Sequence, residues 1–326
     1  MNTLPVQSFE NFLVYDSHAC PSFNASNIST LERYLKAGVT CVSLNIGFGD
    51  MSEEEIIIVK NNINREIIKY PELYIEATCV NDILRAKIEK KLAIVFDLEG
   101  INWIKADVEK LALCQTLGVK QMVLAYNKSN SAGGGCQEHT KGLTQFGKKV
   151  VKKMNQFGII IDCSHAGIKT TYDIMETSMH PVVFSHSNPF SLCEHERNIT
   201  DKQIKICAQV NGVIGINGIS LFLHNKDISS KNIVENIDYI AQLVGSEHVG
   251  LGLDYVFDSK EVSMIVKKKP NFFPENQGYH EVNTATPEQF QEIFSLLLNR
   301  GYSKNDLENI MGKNFLRVAS AVWKEI

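Results

Sequence analysis

The chain has 326 residues, 44% hydrophobic and 21% charged, the balance of a folded globular protein rather than a disordered or low-complexity one. A formal net charge of −4 gives no basic field for nucleic acid, and the local runs GKKVVKK (147–153) and VKKKP (266–270) read as solvated faces. No apolar run is long enough to span a bilayer, the opening MNTLPVQSFENFLVYDSH does not resemble a signal peptide, and VASAVWKEI is not an anchor tail, so a cytoplasmic protein without membrane or nucleic-acid partners is expected.

β-type runs alternate with helical patterns along the chain. FLVYDSH (12–18) is the first strand candidate, followed by the helical STLERYLKAG (29–38), with its Ser/Thr start and Gly stop, and the strand GVTCVSLNI (38–46). LYIEATCV (73–80) and LAIVFDLEG (92–100) come next, then helical VEKLALCQTLG (108–118) and the strand QMVLAYN (121–127). Helical TQFGKKVVKKMNQFG (144–158) precedes the strands GIIIDCSH (158–165) and PVVFSHS (181–187). Helical TDKQIKICAQVNG (200–212), with Thr200 and Asp201 as N-cap candidates, leads to the strands GVIGING (212–218) and HVGLGLDY (248–255). Most of the strand runs are continuously apolar, as strands buried on both faces of a parallel sheet must be. Helix–strand alternation with no Pro/Ser-rich linker predicts an α/β fold in one domain, 1–326, of the TIM-like (β/α)8 barrel type. Nine strand candidates are one too many for that barrel. The stretch 73–80 is assigned as the extra one, because 92–100 ends in chemistry and 73–80 does not. The stretch 259–289 holds three of the eight prolines and is expected to be a long loop, acting as a lid.

The ends of the strand candidates share a character. The first ends in Asp16 and His18 with Cys20 just beyond; 92–100 ends in Asp97 and Glu99; 121–127 ends in Tyr126 and Asn127. The next end in Asp162 and His165, in His186, and finally in Asp254. In a parallel barrel these ends lie on one face, where active sites are built. Taken singly, each reads as well as a structural histidine, a cap or an ion-pair partner. Together they form an inventory of metal ligands. The eight cysteines are scattered through apolar segments and read as buried thiols, with Cys20 and Cys136 set apart by polar neighbours. Ala132 to Gly135 read as a flexible loop over the mouth, with Cys136 either lining the pocket or, the preferred reading, packed beneath the loop.

The segments DSHACPSF, FDLEG, DCSHAG, FSHSNPFSLCEHERNITD, HVGLGLDYVF and GKNFLRV (312–318), in this order, resemble the membrane (renal) dipeptidase family of zinc metallopeptidases, from about residue 12 to 318. The resemblance implies a metallo-dependent hydrolase barrel with two zinc ions bridged by Glu99. It implies that His165 and His186 hold one ion, and that His18 and the residue at position 20 hold the other. It implies that Asp254 relays a proton to the leaving amine, that Arg197 grips a substrate carboxylate, and that Tyr126 and Asn127 face the substrate. Homodimerisation is a further family trait.

Two positions depart from the family pattern. His-x-Asp has become His18-Ala19-Cys20, and a histidine near the end of the fourth barrel strand has become Tyr126. Cys20 either ligates as a thiolate, a softer ligand than a carboxylate, or marks a weak or empty first site. Tyr126 can donate a hydrogen bond to an oxyanion but carries no positive charge. The expected function is a metal-dependent dipeptidase-like hydrolase acting on a small dipeptide or amide with a free carboxylate. The alternatives are another reaction on a peptide-derived metabolite with one metal or none, and a non-catalytic ligand-binding barrel.

Overall fold

The structure is a computed structural model describing residues 6–23, 28–138, 140–280 and 282–324. Met1–Pro5 and Glu325–Ile326, parts of the terminal stretches considered above, lie outside the described residues.

The strands are β1 Tyr15–Cys20, β2 Cys41–Phe48, β3 Tyr74–Glu76, β4 Leu92–Glu99, β5 Val119–Val123, β6 Ile160–Asp162, β7 Val183–Phe184, β8 Val213–Ile216, β9 Val249–Leu251 and β10 Tyr255–Val256. All pairings are parallel in the order β1-β2-β4-β5-β6-β7-β8-β9, and β9 pairs with β1 to close an eight-stranded barrel. β3 pairs only with the start of β4, beside residues 92–94, and so is the extra strand expected at 73–80. β10 adds to β1 through Ala19–Tyr255 and Cys20–Val256.

Alternation along β4 explains the two cores. Ile94, Phe96 and Leu98 pack outward under the helices, while Ala93 and Val95 point into the barrel. The barrel interior is filled low down by Tyr15, Cys41, Val183 and Val213, and the helix Asn314–Val322 closes that end with Phe315 and Val318. The same inward face of β4 then carries Asp97 and Glu99 at the other end. β1 breaks the alternation. Its register against β2 shifts between Asp16 and Ala19, so one extra residue is accommodated and Ala19 packs in the outer core. This bulge turns His18 as well as Ser17 inward, the re-aiming that bulges beside sites perform.

The helix expected at 200–212 is Asp201–Gln209. Thr200 accepts from the Gln203 amide at 3.3 Å, and Gln203 Oε1 accepts from the Thr200 amide at 3.0 Å. Two expectations are corrected. The stretch 259–289 opens with the helix Ser259–Lys268, because Asp258 Oδ1 accepts from the Lys260 and Glu261 amides and caps it. Ala132–Gly135 are buried, not loose over the mouth. Gly134 N donates to Thr170 Oγ1 at 2.9 Å and Gly167 N donates to Gly134 O at 2.8 Å, and a Cβ on Gly135 would meet the Asn127 backbone at 2.2 Å. The small residues there serve close approach, not flexibility. Among the described residues no helix is long and apolar enough to cross a membrane.

Candidate metal centre

His18, Glu99, His165 and His186 converge at the C-terminal end of the barrel. Glu99 Oε1 lies 2.9 Å from His165 Nε2, 3.2 Å from His186 Nε2 and 3.7 Å from His18 Nε2. The His165 and His186 Nε2 atoms are 2.9 Å apart, and the His18 and His186 rings stack at 4.0 Å.

Each imidazole is tethered from behind through Nδ1. His18 Nδ1 faces Asp97 Oδ2 at 3.2 Å, His165 Nδ1 faces Asn127 Oδ1 at 2.7 Å, and His186 Nδ1 faces Ser185 Oγ at 2.6 Å. Ser185 in turn donates to Asp162 Oδ2. Placing the ring proton on Nδ1, where these acceptors sit, leaves each Nε2 as the free nitrogen, within 3.7 Å of Glu99 Oε1, the tautomer that metal-bound histidines use. Among the described residues Glu99 Oε1, in a buried side chain, has no hydrogen-bond partner. Three converging nitrogens and an orphan carboxylate oxygen are a donor set that a divalent cation satisfies.

The electrostatics agree. Burial pushes Glu99 up to about 8, with Asp254 and Asp97 adding to the rise. Burial holds His165 and His186 well below the usual imidazole range. For His18, burial acts downward, but the Asp97 and Glu99 carboxylates outweigh it and raise it well above that range. The site therefore demands positive charge, and in a metal-free protein a proton on His18 meets that demand.

Cys20 Sγ donates to Asp254 Oδ1 at 3.3 Å and lies 3.7 Å from His18 Nε2, so Cys20, His18 and Asp254 form a second group of converging donors. Burial holds the thiol well above its usual range. Asp254 reaches the cluster because its amide donates to His18 O at 3.0 Å and Asn217 Nδ2 donates to its Oδ2 at 3.0 Å. Asp254, His165 and Asn127 all have positive φ, of 56°, 64° and 55°. Non-glycine residues held there are strained, and strain gathers at functional sites.

Arg197 is buried. Its Nη2 donates to His186 O at 3.2 Å, its guanidinium lies 5.3 Å from the centre of the Phe222 ring, and among the described residues its Nε has no hydrogen-bond partner. Tyr126 stacks on His165 at 4.1 Å and, like Arg197, lines the cavity above the cluster. Asn127, expected to face substrate, lines the same cavity, and its amide is engaged by the protein. Its Oδ1 serves His165 and Cys136, and its Nδ2 donates to Phe272 O at 3.0 Å. Cys136 is buried, and its Sγ donates to Asn127 Oδ1 at 3.4 Å. The sequence reading did not single out Asp97, Asp162 or Ser185 as partners of the histidines. The available signals were the two-residue offset of Asp97 from Glu99 and the Ser that precedes His186.

The model of the membrane dipeptidase family (Peptidase family M19) matches residues 54–325. The chain belongs to this family. The matched stretch begins after His18 and Cys20, so their place in the site rests on the geometry above. The dipeptidase tcpJ of Claviceps purpurea is 30% identical over 249 residues, covering 74% of this chain and 54% of that relative. The chain thus spans about half the length of that relative. Among solved structures, an amidohydrolase from Pseudomonas aeruginosa superposes with a TM-score of 0.91 at 25% identity, covering 99% of this chain and 100% of its own. A metallo peptidase from Rhodobacter sphaeroides, liganded with a phosphinate mimic of the dipeptide L-Ala-D-Ala, shares the fold with a TM-score of 0.79 at 18% identity, covering 96% of this chain and 99% of its own.

Proposed function

We propose that this protein is a metal-dependent hydrolase that cleaves a small dipeptide, or a similar amide bearing a free carboxylate. The observation that carries the reading is the convergence of three Nδ1-tethered histidines on the unpartnered Oε1 of Glu99. His165, His186 and Glu99 would hold one zinc ion, and His18, Cys20 and Glu99 the other. A pair of such ions, when bound, lowers the pKa of water and polarises a carbonyl.

The chain's own groups have distinct tasks around that chemistry. Asp254, held by Asn217, stands 3.7 Å from His18 Nε2, where it can take a proton from water and pass it to the leaving amine. The Tyr126 hydroxyl, kept neutral by burial, donates to the oxygen that gains charge. Arg197, with one guanidinium nitrogen unpartnered, binds the substrate carboxylate. Asn127 positions His165. The segment 259–289, which lines the cavity through Val262 and Phe273, is the lid.

The hydrogen bond from the Cys20 thiol to Asp254 favours a second reading, with one ion only and another reaction. Metal analysis together with a dipeptide assay separates the two. Two zinc ions per chain and hydrolysis support the first, and one ion without hydrolysis overturns it. Arg197→Met should raise KM for dipeptides at least tenfold, in keeping with a lost charge-assisted pair, and should act less on substrates amidated at the C-terminus. An equal effect on both removes Arg197 from carboxylate binding.

A further inference from the structure

The cavity over the cluster, about 110 Å³, is lined by Arg197 beside Phe222 and by further apolar side chains from other strands. Arg197 follows β7, the sixth strand in barrel order, and Phe48 ends β2, the second. In a ring of eight these two strands face each other across the mouth, so Phe48 lies across from the strand whose following loop carries Arg197. Glu99 and His165, on the third and fifth strands, also line the cavity.

The wall around Phe48 is apolar. Phe23 stacks on Phe48 at 5.7 Å, and Phe48 meets Phe273 at 6.2 Å. Val256 on β10 and Val262 and Ile265 on the helix Ser259–Lys268 line the same cavity, and Val262 and Ile265 pack against the aromatic cluster that holds Phe273. Phe23, Phe48, Val256, Val262 and Ile265 are all only partly buried, leaving apolar surface open beside the cluster. That surface is unfavourable in water and is the usual mark of a ligand subsite. Glu261 also lines the cavity, and its Oε2 accepts from the Phe23 amide at 3.3 Å. Lys269 Nζ lies 5.5 Å from the centre of the Phe48 ring but is paired with Asp50, and among the described residues no lysine lines the cavity itself.

A dipeptide whose carboxylate sits on Arg197 and whose amide lies over the cluster extends its amino-side residue toward this wall. We propose that the wall is the subsite for the side chain on the amino side of the scissile bond, and that it selects bulky apolar residues such as leucine, methionine and phenylalanine. The proposal rests on the hydrolase reading and on Arg197 as the carboxylate anchor. An acidic side chain is excluded twice, by desolvation and by the nearby Glu261.

The test uses zinc-loaded protein and dipeptides X-Ala, with X as Gly, Leu, Phe or Asp. Leu-Ala and Phe-Ala should exceed Gly-Ala in kcat/KM by roughly 10- to 100-fold, and Asp-Ala should be poorest. Ile265→Asp should collapse the Leu/Gly ratio toward one. A flat profile, a preference for Asp-Ala, or an unchanged ratio in the variant overturns the subsite. The ranking is also read without chemistry, from thermal shifts caused by phosphinate mimics carrying Gly, Leu or Asp on the amino side. Stronger stabilisation by the Leu mimic supports the subsite even if no dipeptide is hydrolysed, in which case only the hydrolase reading falls. Equal stabilisation by the Gly and Leu mimics overturns the subsite even if hydrolysis is seen.

Discussion

Asp97 has no place among the direct donors, yet His18 depends on it. Its carboxylate takes His18 Nδ1 at 3.2 Å and Ser43 Oγ at 2.8 Å on Oδ2, and Asn45 Nδ2 at 3.1 Å on Oδ1. Asp97→Asn keeps the size and removes the charge. The best orientation leaves the amide oxygen for His18 and Ser43 and turns the NH2 group against Asn45 Nδ2, donor to donor. Asn45 cannot flip cheaply, because its Oδ1 accepts from the Gly47 amide at 3.0 Å. The variant therefore trades a charge-assisted bond for a neutral one about half as strong and adds a clash, a loss of about 1–2 kcal/mol. Losing a partner behind a metal ligand costs about 10- to 100-fold in metal affinity, the same range within error. Competition with a chromophoric chelator should show one of two zinc sites weakened by that factor, with the His165–His186 site unchanged. The stabilisation of the fold by saturating zinc should fall by about 1.4–2.7 kcal/mol. Unchanged affinity at both sites, or equal loss at both, would refute the coupling of Asp97 to His18.

Further outcomes follow from the same geometry. Cobalt-substituted protein should show a thiolate-to-cobalt charge-transfer band that disappears in Cys20→Ser; its absence from the unmodified protein removes Cys20 from the ligands. Cys20→Asp should retain the metal and raise hydrolysis, because an oxygen ligand leaves the ion a stronger Lewis acid, and an unchanged rate refutes that. Gly252→Ala places a Cβ 1.9 Å from Ser185 O and 2.5 Å from Ser17 Oγ. The Ser185–His186 segment must move, so a loss of about 1–3 kcal/mol in stability together with weaker metal binding is expected, and intact metal affinity would show that His186 had not shifted. Arg33 donates to both oxygens of Glu288, at 2.7 and 2.8 Å, and this holds Glu288 down at about 2. Its folded pKa lies below the unfolded one, so the native state binds fewer protons between them. The contribution is therefore full above about pH 4.3 and lost as pH falls toward 2. Both side chains are about half exposed, which limits it to about 0.5–1 kcal/mol. Glu288→Gln should lower stability to urea by that much at pH 6 and by less at pH 3; an equal loss at both would contradict the sign.

The barrel was legible because its cause is local. Strands buried on both faces must be continuously apolar, as in the runs that became β2, β4 and β8, and polar groups at their ends can be accommodated only where the interior opens. The helix Ser259–Lys268 escaped because its apolar face, through Val262 and Ile265, is needed only above the cavity, and the nearby prolines read as loop. The run Ala132–Gly135 was misread for a related reason. Glycine permits both freedom and close approach, and only the packing against Thr170 and Asn127 distinguishes them.

The sequence by itself determined the alternation of strands and helices and the kinds of donor at the strand ends, since both follow from side-chain chemistry at fixed positions along the chain. The tertiary structure decided which atoms meet. The extra residue in β1 turns His18 inward, and Asp97, Asn127 and Ser185 set the face each imidazole presents. Ring closure brings Arg197 and Phe48, from loops and strands far apart in the chain, to one cavity. Those are contacts between residues far apart in the chain, and no local pattern encodes a distance between them.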